Sequence, residues 1–181
     1  SSASTIGHGL GVAPSMIIQK NRDAVTDWGV YHISIGATKF LKLNDTAAAA
    51  TNSVPWNDTA PTSTVFSIGT GYTSGNKYVA YCFTPIAGYS AFGSYTGNGS
   101  SDGTFVYTGF RPKFVMVKRT DGGAEGWLID NSACSPYNAI SNWLYANNSN
   151  AEGSGVDHMD FLSNGFKNRF NGADTNSNGG I

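Results

Sequence analysis

Apolar residues in this chain come in short runs: SMIIQK, WGVYHI, KFLKL, STVFSI, KYVAYCF, GTFVYT, KFVMVK, GWLID and DFLSN. Turn-rich stretches such as TGYTSGNK, SYTGNGSSDG, TDGGAEG and NGADTNSNGG separate them. Runs this short cannot carry the 3.6-residue periodicity of a packed helix, but they fit strands. Short strands at such spacing indicate an all-β sandwich or barrel. Composition agrees, with 13% charged residues, 13% aromatics and 23 glycines. An average globular chain is about a quarter charged, so hydroxyls and amides must cover much of this surface. Plentiful aromatic and β-branched residues exclude a disordered chain. The sequence therefore predicts an all-β fold of the jelly-roll or lectin-like sandwich kind. KYVAYCF, apolar on both faces, is expected to be a central strand. SPYNAISNWLYAN (135–147) is expected to form one or two helical turns, and 46–51 a short helix.

One segment is written twice. GVAPSMIIQKNRD (11–23) and GFRPKFVMVKRTD (109–121) share Gly, Pro, Lys and Asp at the same offsets, with an apolar triplet between Pro and Lys. Trp28 and Trp127 follow, each opening a short strand, and both are expected in the core. Leu41, Asn44, Thr46 and Ala48 then match Leu144, Asn147, Ser149 and Ala151, and VFSIGTG (65–71) resembles FLSNGFK (161–167). Copy one finishes with SGNKYVAYCF, whereas copy two stops at SNGGI. The period of about a hundred residues is far longer than the roughly 20–50 of solenoids and propellers. The expectation is two related β lobes: 1–83, a short connection at 84–92, and 93–181 without its last strand. With neither an initiator Met nor a signal peptide, the chain reads as an excerpt of something longer.

Charge excludes some partners. The formal net charge is −1, and the 11 Lys and Arg residues are scattered. They form no stripe able to release many counterions from a phosphate backbone, so nucleic acid is not expected. No apolar run approaches the roughly 18 residues of a membrane helix. Cys82 and Cys134 are too few for a disulfide framework.

The stretch AYCFTPIAGYSAFGSYTGNGSSDGTFVYTGFRPKFVMVKRTD, followed by W…D…DFLSNGFK, resembles an uncharacterised domain family of marine and cyanobacterial tailed-phage virion proteins. GVAPSMIIQKNRD, WGVYH, LNDTAAA and Trp56 fit the same pattern in the first half. The resemblance implies a virion location, in a tail fibre, spike or other appendage, and a lectin-like β-sandwich. It brings no catalytic residues. The expected role is attachment to a host surface, through glycan, by a homo-oligomer such as a trimer bound to other virion subunits. The alternative is a structural decoration or spacer module that binds only those subunits. A glycan-degrading enzyme is the remaining alternative.

The residues give that last alternative little. Glycosidases place two carboxylates across a sugar, yet the two glutamates, Glu125 and Glu152, sit in Gly-rich loops. No G-x-S-x-G elbow is present, so no catalytic residue is assigned. Trp56, Tyr72, Tyr89, Tyr95, Tyr137 and Trp143 lie in or beside Asn-, Asp- and Ser-rich loops. They are the candidate glycan or interface aromatics, because a sugar offers one apolar face ringed by hydroxyls. DTNSNG (174–179) matches half of a calcium loop, which makes Asp174, Asn176 and Asn178 candidate Ca2+ ligands; otherwise it is a hairpin turn, and no cofactor is expected. The basic strand ends Lys20, Arg22, Lys118 and Arg119 either contact acidic polysaccharide or block edge-to-edge aggregation.

Overall fold

The computed structural model describes residues 2–181. The chain is all-β, its strands antiparallel, and it divides into two compact units. The first comprises Ser1–Leu43, Ala49–Ile86 and Ser90–Gly93; the second comprises Asn44–Ala48, Ala87–Tyr89 and Ser94–Ile181.

In the first unit the apolar runs become β1 (Ser4–Gly7), β2 (Met16–Asn21), β3 (Gly29–His32), β4 (Lys39–Lys42), β5 (Ala50–Thr51), β6 (Val65–Ile68) and β7 (Tyr78–Phe83), with a short α1 (Ser53–Trp56). Five strands form a sheet in the order β5-β4-β3-β2-β7, while β1 pairs with β6. Alternation decides what lies between these layers. Ile17 stands opposite both Tyr31 and Cys82. These side chains and Phe40 pack against Phe66 and Ile68 of β6, so the two sheets make a sandwich. α1 plugs the same core. Asn52 caps its start by accepting the Val54 N–H at 2.9 Å, and Asn57 closes it in the left-handed region. One turn is thereby enough to set Trp56, 2% exposed, edge-on against Tyr31.

The second unit contains β8 (Phe105–Tyr107), β9 (Phe114–Val117), β10 (Leu128–Asn131), β11 (Ile140–Tyr145), β12 (Gly153–Leu162) and β13 (Gly165–Asn168). They form one six-stranded sheet in the order β8-β13-β12-β11-β10-β9. Its core joins Val115, Val117, Ile140, Met159, Phe161 and Phe166, with Tyr95 and Val106 packed against them. β12 does not pair evenly with β11. Ile140 stands opposite Met159, but Asn142 stands opposite Ser154, so β12 carries extra residues. Gly155, at φ +87, supplies a conformation other residues avoid in that bulge.

The written-twice segments pair alike. Ile18 stands opposite Val30 in β2–β3, and Met116 opposite Ile129 in β9–β10. Val30 faces Leu41 as Ile129 faces Leu144. Even the closing bonds correspond, Leu43 N–H to the Trp28 carbonyl and Ala146 N–H to that of Trp127, both at 2.9 Å. The likeness stops at VFSIGTG. Val65–Ile68 is a strand, whereas FLSN spans the end of β12 and the turn into β13.

Four expectations are corrected. KYVAYCF is an edge strand, since β7 has β2 as its one neighbour; Tyr81 and Phe83 are 47% and 41% exposed. Residues 135–147 contain β11 instead of helix, because pairing with β10 overrides a weak local preference. The helical turn falls at Ser53–Trp56, after the Asn52 cap, and not at 46–51. Trp127 is buried as expected, whereas Trp28 is half-buried.

Candidate binding surface

Most of the loop aromatics face inward. Trp56 is core. The Tyr72 hydroxyl contacts the Gln19 amide and donates to the Pro55 carbonyl at 3.1 Å. Burial, with Tyr78 beside it, pushes that hydroxyl's pKa well up. Tyr95 is edge-on to Phe166 and donates to the Thr175 carbonyl at 2.5 Å; burial raises its pKa too. Trp143 stacks on the His158 ring at 4.6 Å and 6°. These contacts hold Trp56 in the core and leave Tyr72, Tyr95 and Trp143 half-buried. Tyr89 and Tyr137 are the two that stand out, 77% and 81% exposed.

The proposed cation loop is also put to other use. Asn176 is fully buried, and its amide donates to Asn98 Oδ1 and to the Ser100 carbonyl while its oxygen accepts the Asn98 N–H at 3.1 Å. Its side chain pins the 97–100 turn to the C-terminal loop, with both its amide and its oxygen engaged there. Asn178 is exposed and Asp174 half-buried. Among the described residues no group of three or more His, Cys, Asp or Glu side chains is placed to hold a metal.

His158 and Asp130 form the one buried acid–base pair among the described residues, Nδ1 to Oδ1 at 3.0 Å with exposures of 2% and 0%. Trp143 covers one face of the imidazole and Phe170 stacks on it at 5.4 Å. With rings against it, this pair orders the unit's interior. The basic strand ends divide. Lys118 curls back onto the carbonyls of Thr46, Arg119 and Glu125, at 2.9–3.0 Å, and burial lowers its pKa. Arg119 pairs with Asp121 at 2.8 Å, and Lys20 contacts the Thr26 carbonyl.

A further exposed surface lies on β8. Val106 points into the core, which turns Phe105 (44% exposed) and Tyr107 (70%) outward on one face of an edge strand. Phe105 stands opposite Lys167 of β13, and Lys167 opposite Asp160 of β12. Tyr107 stands opposite Gly165, where a methyl group would meet the Phe105 ring at 3.0 Å, so the ring lies across the glycine. Lys167 pairs with Asp102 at 2.5 Å, and Arg169 with Asp160 at 2.6 Å. The Lys167 ammonium holds the Asp102 carboxyl below its usual range. The result is two aromatic rings about one strand repeat apart, roughly 7 Å, bordered by two ion pairs. The signal was legible in TFVYT: an aromatic–aliphatic–aromatic triplet faces outward with both rings once its middle residue is the core one.

The sequence pattern of a domain of unknown function, DUF7483, matches residues 1–181. The chain belongs to the DUF7483 family. Comparison with curated proteins and with solved structures finds no match.

Proposed function

We propose that this domain is a non-enzymatic recognition module of a virion appendage, holding a surface saccharide on the Phe105–Tyr107 face. The observation that carries this reading is the pair of outward rings beside Lys167, Asp160 and Arg169. A pyranose lays its apolar face on an aromatic ring, and its hydroxyls need directional donors and acceptors around that ring. Charged groups make the stronger of such bonds. Each carboxylate of the face is engaged by a cation, which supports binding over acid–base hydrolysis. The resemblance to tailed-phage appendage proteins supports a host-attachment role. Single weak sites of this kind work through several copies in a symmetric homo-oligomer.

A saccharide array probed with the full chain tests the reading. Saturable binding that weakens about tenfold in Tyr107→Ala, on the order of 1.4 kcal/mol, is the expected outcome. Binding that survives in both Tyr107→Ala and Phe105→Ala sinks it, as does a lack of binding to any saccharide. Release of reducing ends from a bound polysaccharide favours the enzyme alternative.

A further inference from the structure

The charges around Phe105 and Tyr107 are balanced one against one, and this restricts what the face can hold. Lys167 stands opposite Phe105 and directs its ammonium to Asp102 at 2.5 Å. Arg169 gives its guanidinium to Asp160 through Nη2 and Nε, both at 2.6 Å. Two cations thus meet two carboxylates and cancel them. Two further basic groups of the unit are engaged elsewhere, Lys118 on carbonyls and Arg119 on Asp121.

Asp102 is a held carboxylate. Its N–H donates to Ser100 Oγ and its carbonyl accepts from Asn98 Nδ2, both at 3.1 Å. Asn98 and Ser100 are in turn bonded to the buried Asn176, whose amide donates to Asn98 Oδ1 at 2.9 Å and to the Ser100 carbonyl at 2.7 Å. The turn that carries Asp102 is therefore fixed to the unit's interior, while the Asp102 side chain is 81% exposed. The hydrogen bond and charge of Lys167 hold its carboxyl below the usual range, and Arg169 adds to this, so the group stays ionised at neutral pH.

This arrangement selects by charge. A carboxylate tethered beside Lys167 acts at a high effective concentration, which a dilute acidic sugar cannot match. An acidic sugar lying on the rings brings its charge beside Asp102 and Asp160, and like charges repel. A neutral sugar meets no such penalty. Each of its hydroxyls both donates and accepts, so it can donate to a carboxylate and accept from the cation of the same pair.

We propose that Asp102, by occupying Lys167, makes the Phe105–Tyr107 face selective for uncharged hexose saccharides over uronates. The inference rests on the saccharide reading above and names its ligand class.

The test titrates the full chain with oligosaccharides of glucose, galactose and mannose, each beside its C6-carboxylate form, and reads affinity by calorimetry. In a pair that binds, the neutral member is expected to bind at least about tenfold more tightly. Asp102→Asn keeps the side chain's shape at an exposed position and frees Lys167, so the ratio of the two affinities should move at least about tenfold toward the acid. That gain should shrink as salt is raised, because an exposed ammonium is screened. If the wild-type chain holds both members alike and loses both in Tyr107→Ala, charge selection is overturned and the saccharide site stands. An unmoved ratio in Asp102→Asn overturns the role of Asp102. Binding of no member of any pair overturns this inference, while the array decides the saccharide site separately.

Discussion

His158 shows how a single side chain organises the second unit. Its imidazole is 2% exposed, paired with a fully buried Asp130, and held between Trp143 and Phe170. Removing the imidazole leaves the buried Asp130 carboxyl without its hydrogen-bond partner, a loss that typically costs about 1–3 kcal/mol. His158→Ala is therefore expected to destabilise the chain by about 2–3 kcal/mol in urea unfolding, and a change under about 1 kcal/mol contradicts the arrangement. The tyrosines give a pH dependence. Burial raises the hydroxyl pKa of Tyr31, Tyr72 and Tyr95 above the ordinary 10.0. The unfolded chain loses those protons first, so their contribution is full below pH 10 and is lost as pH rises through the folded values. Lys118, whose pKa burial lowers, works in the opposite sense as pH approaches 10.5 from below. Stability followed between pH 9 and 11 should fall, and Tyr95→Phe should flatten the fall; a rise across that window contradicts it.

At the scale of elements, β8 depends on the missing side chain of Gly165. A Cβ there would sit 2.1 Å from the Val106 carbonyl, a backbone atom that cannot swing aside. Gly165→Ala should push β8 off β13, destabilising by about 1–3 kcal/mol, and speed amide exchange across Phe105–Tyr107 more than across β10. Uniform exchange in that variant counts against this pairing. The strands themselves were legible as short apolar runs with turns between. The recurrence of residues at the same offsets was legible too, but the pairing of β2 with β3 and of β9 with β10 was not. Less could be read where local and long-range forces disagree. Residues 140–145 contain a Trp, a Leu and a Tyr that suit a helical turn, yet β10 supplies the partner that makes them a strand. Tyr72 and Tyr95 sit among polar loop residues, and nothing local reveals that carbonyls of Pro55 and Thr175 pull their hydroxyls inward. Asn176 looked like an oxygen donor for an ion, but its partner turn lies at 97–100, far away in sequence.

At the scale of the whole molecule, the proposed recognition face lies at one edge of the six-stranded sheet. β8 presents aromatic rings with ion pairs around them. The proposed saccharide site on the β8 face is tested most directly by chemical-shift mapping of the isotope-labelled full chain, titrated with a saccharide that the array identifies. Shifts are predicted to gather at Phe105, Tyr107, Asp160, Lys167 and Arg169 and to vanish in Tyr107→Ala. Shifts confined to the Tyr89 and Tyr137 loops, with β8 silent, would contradict it.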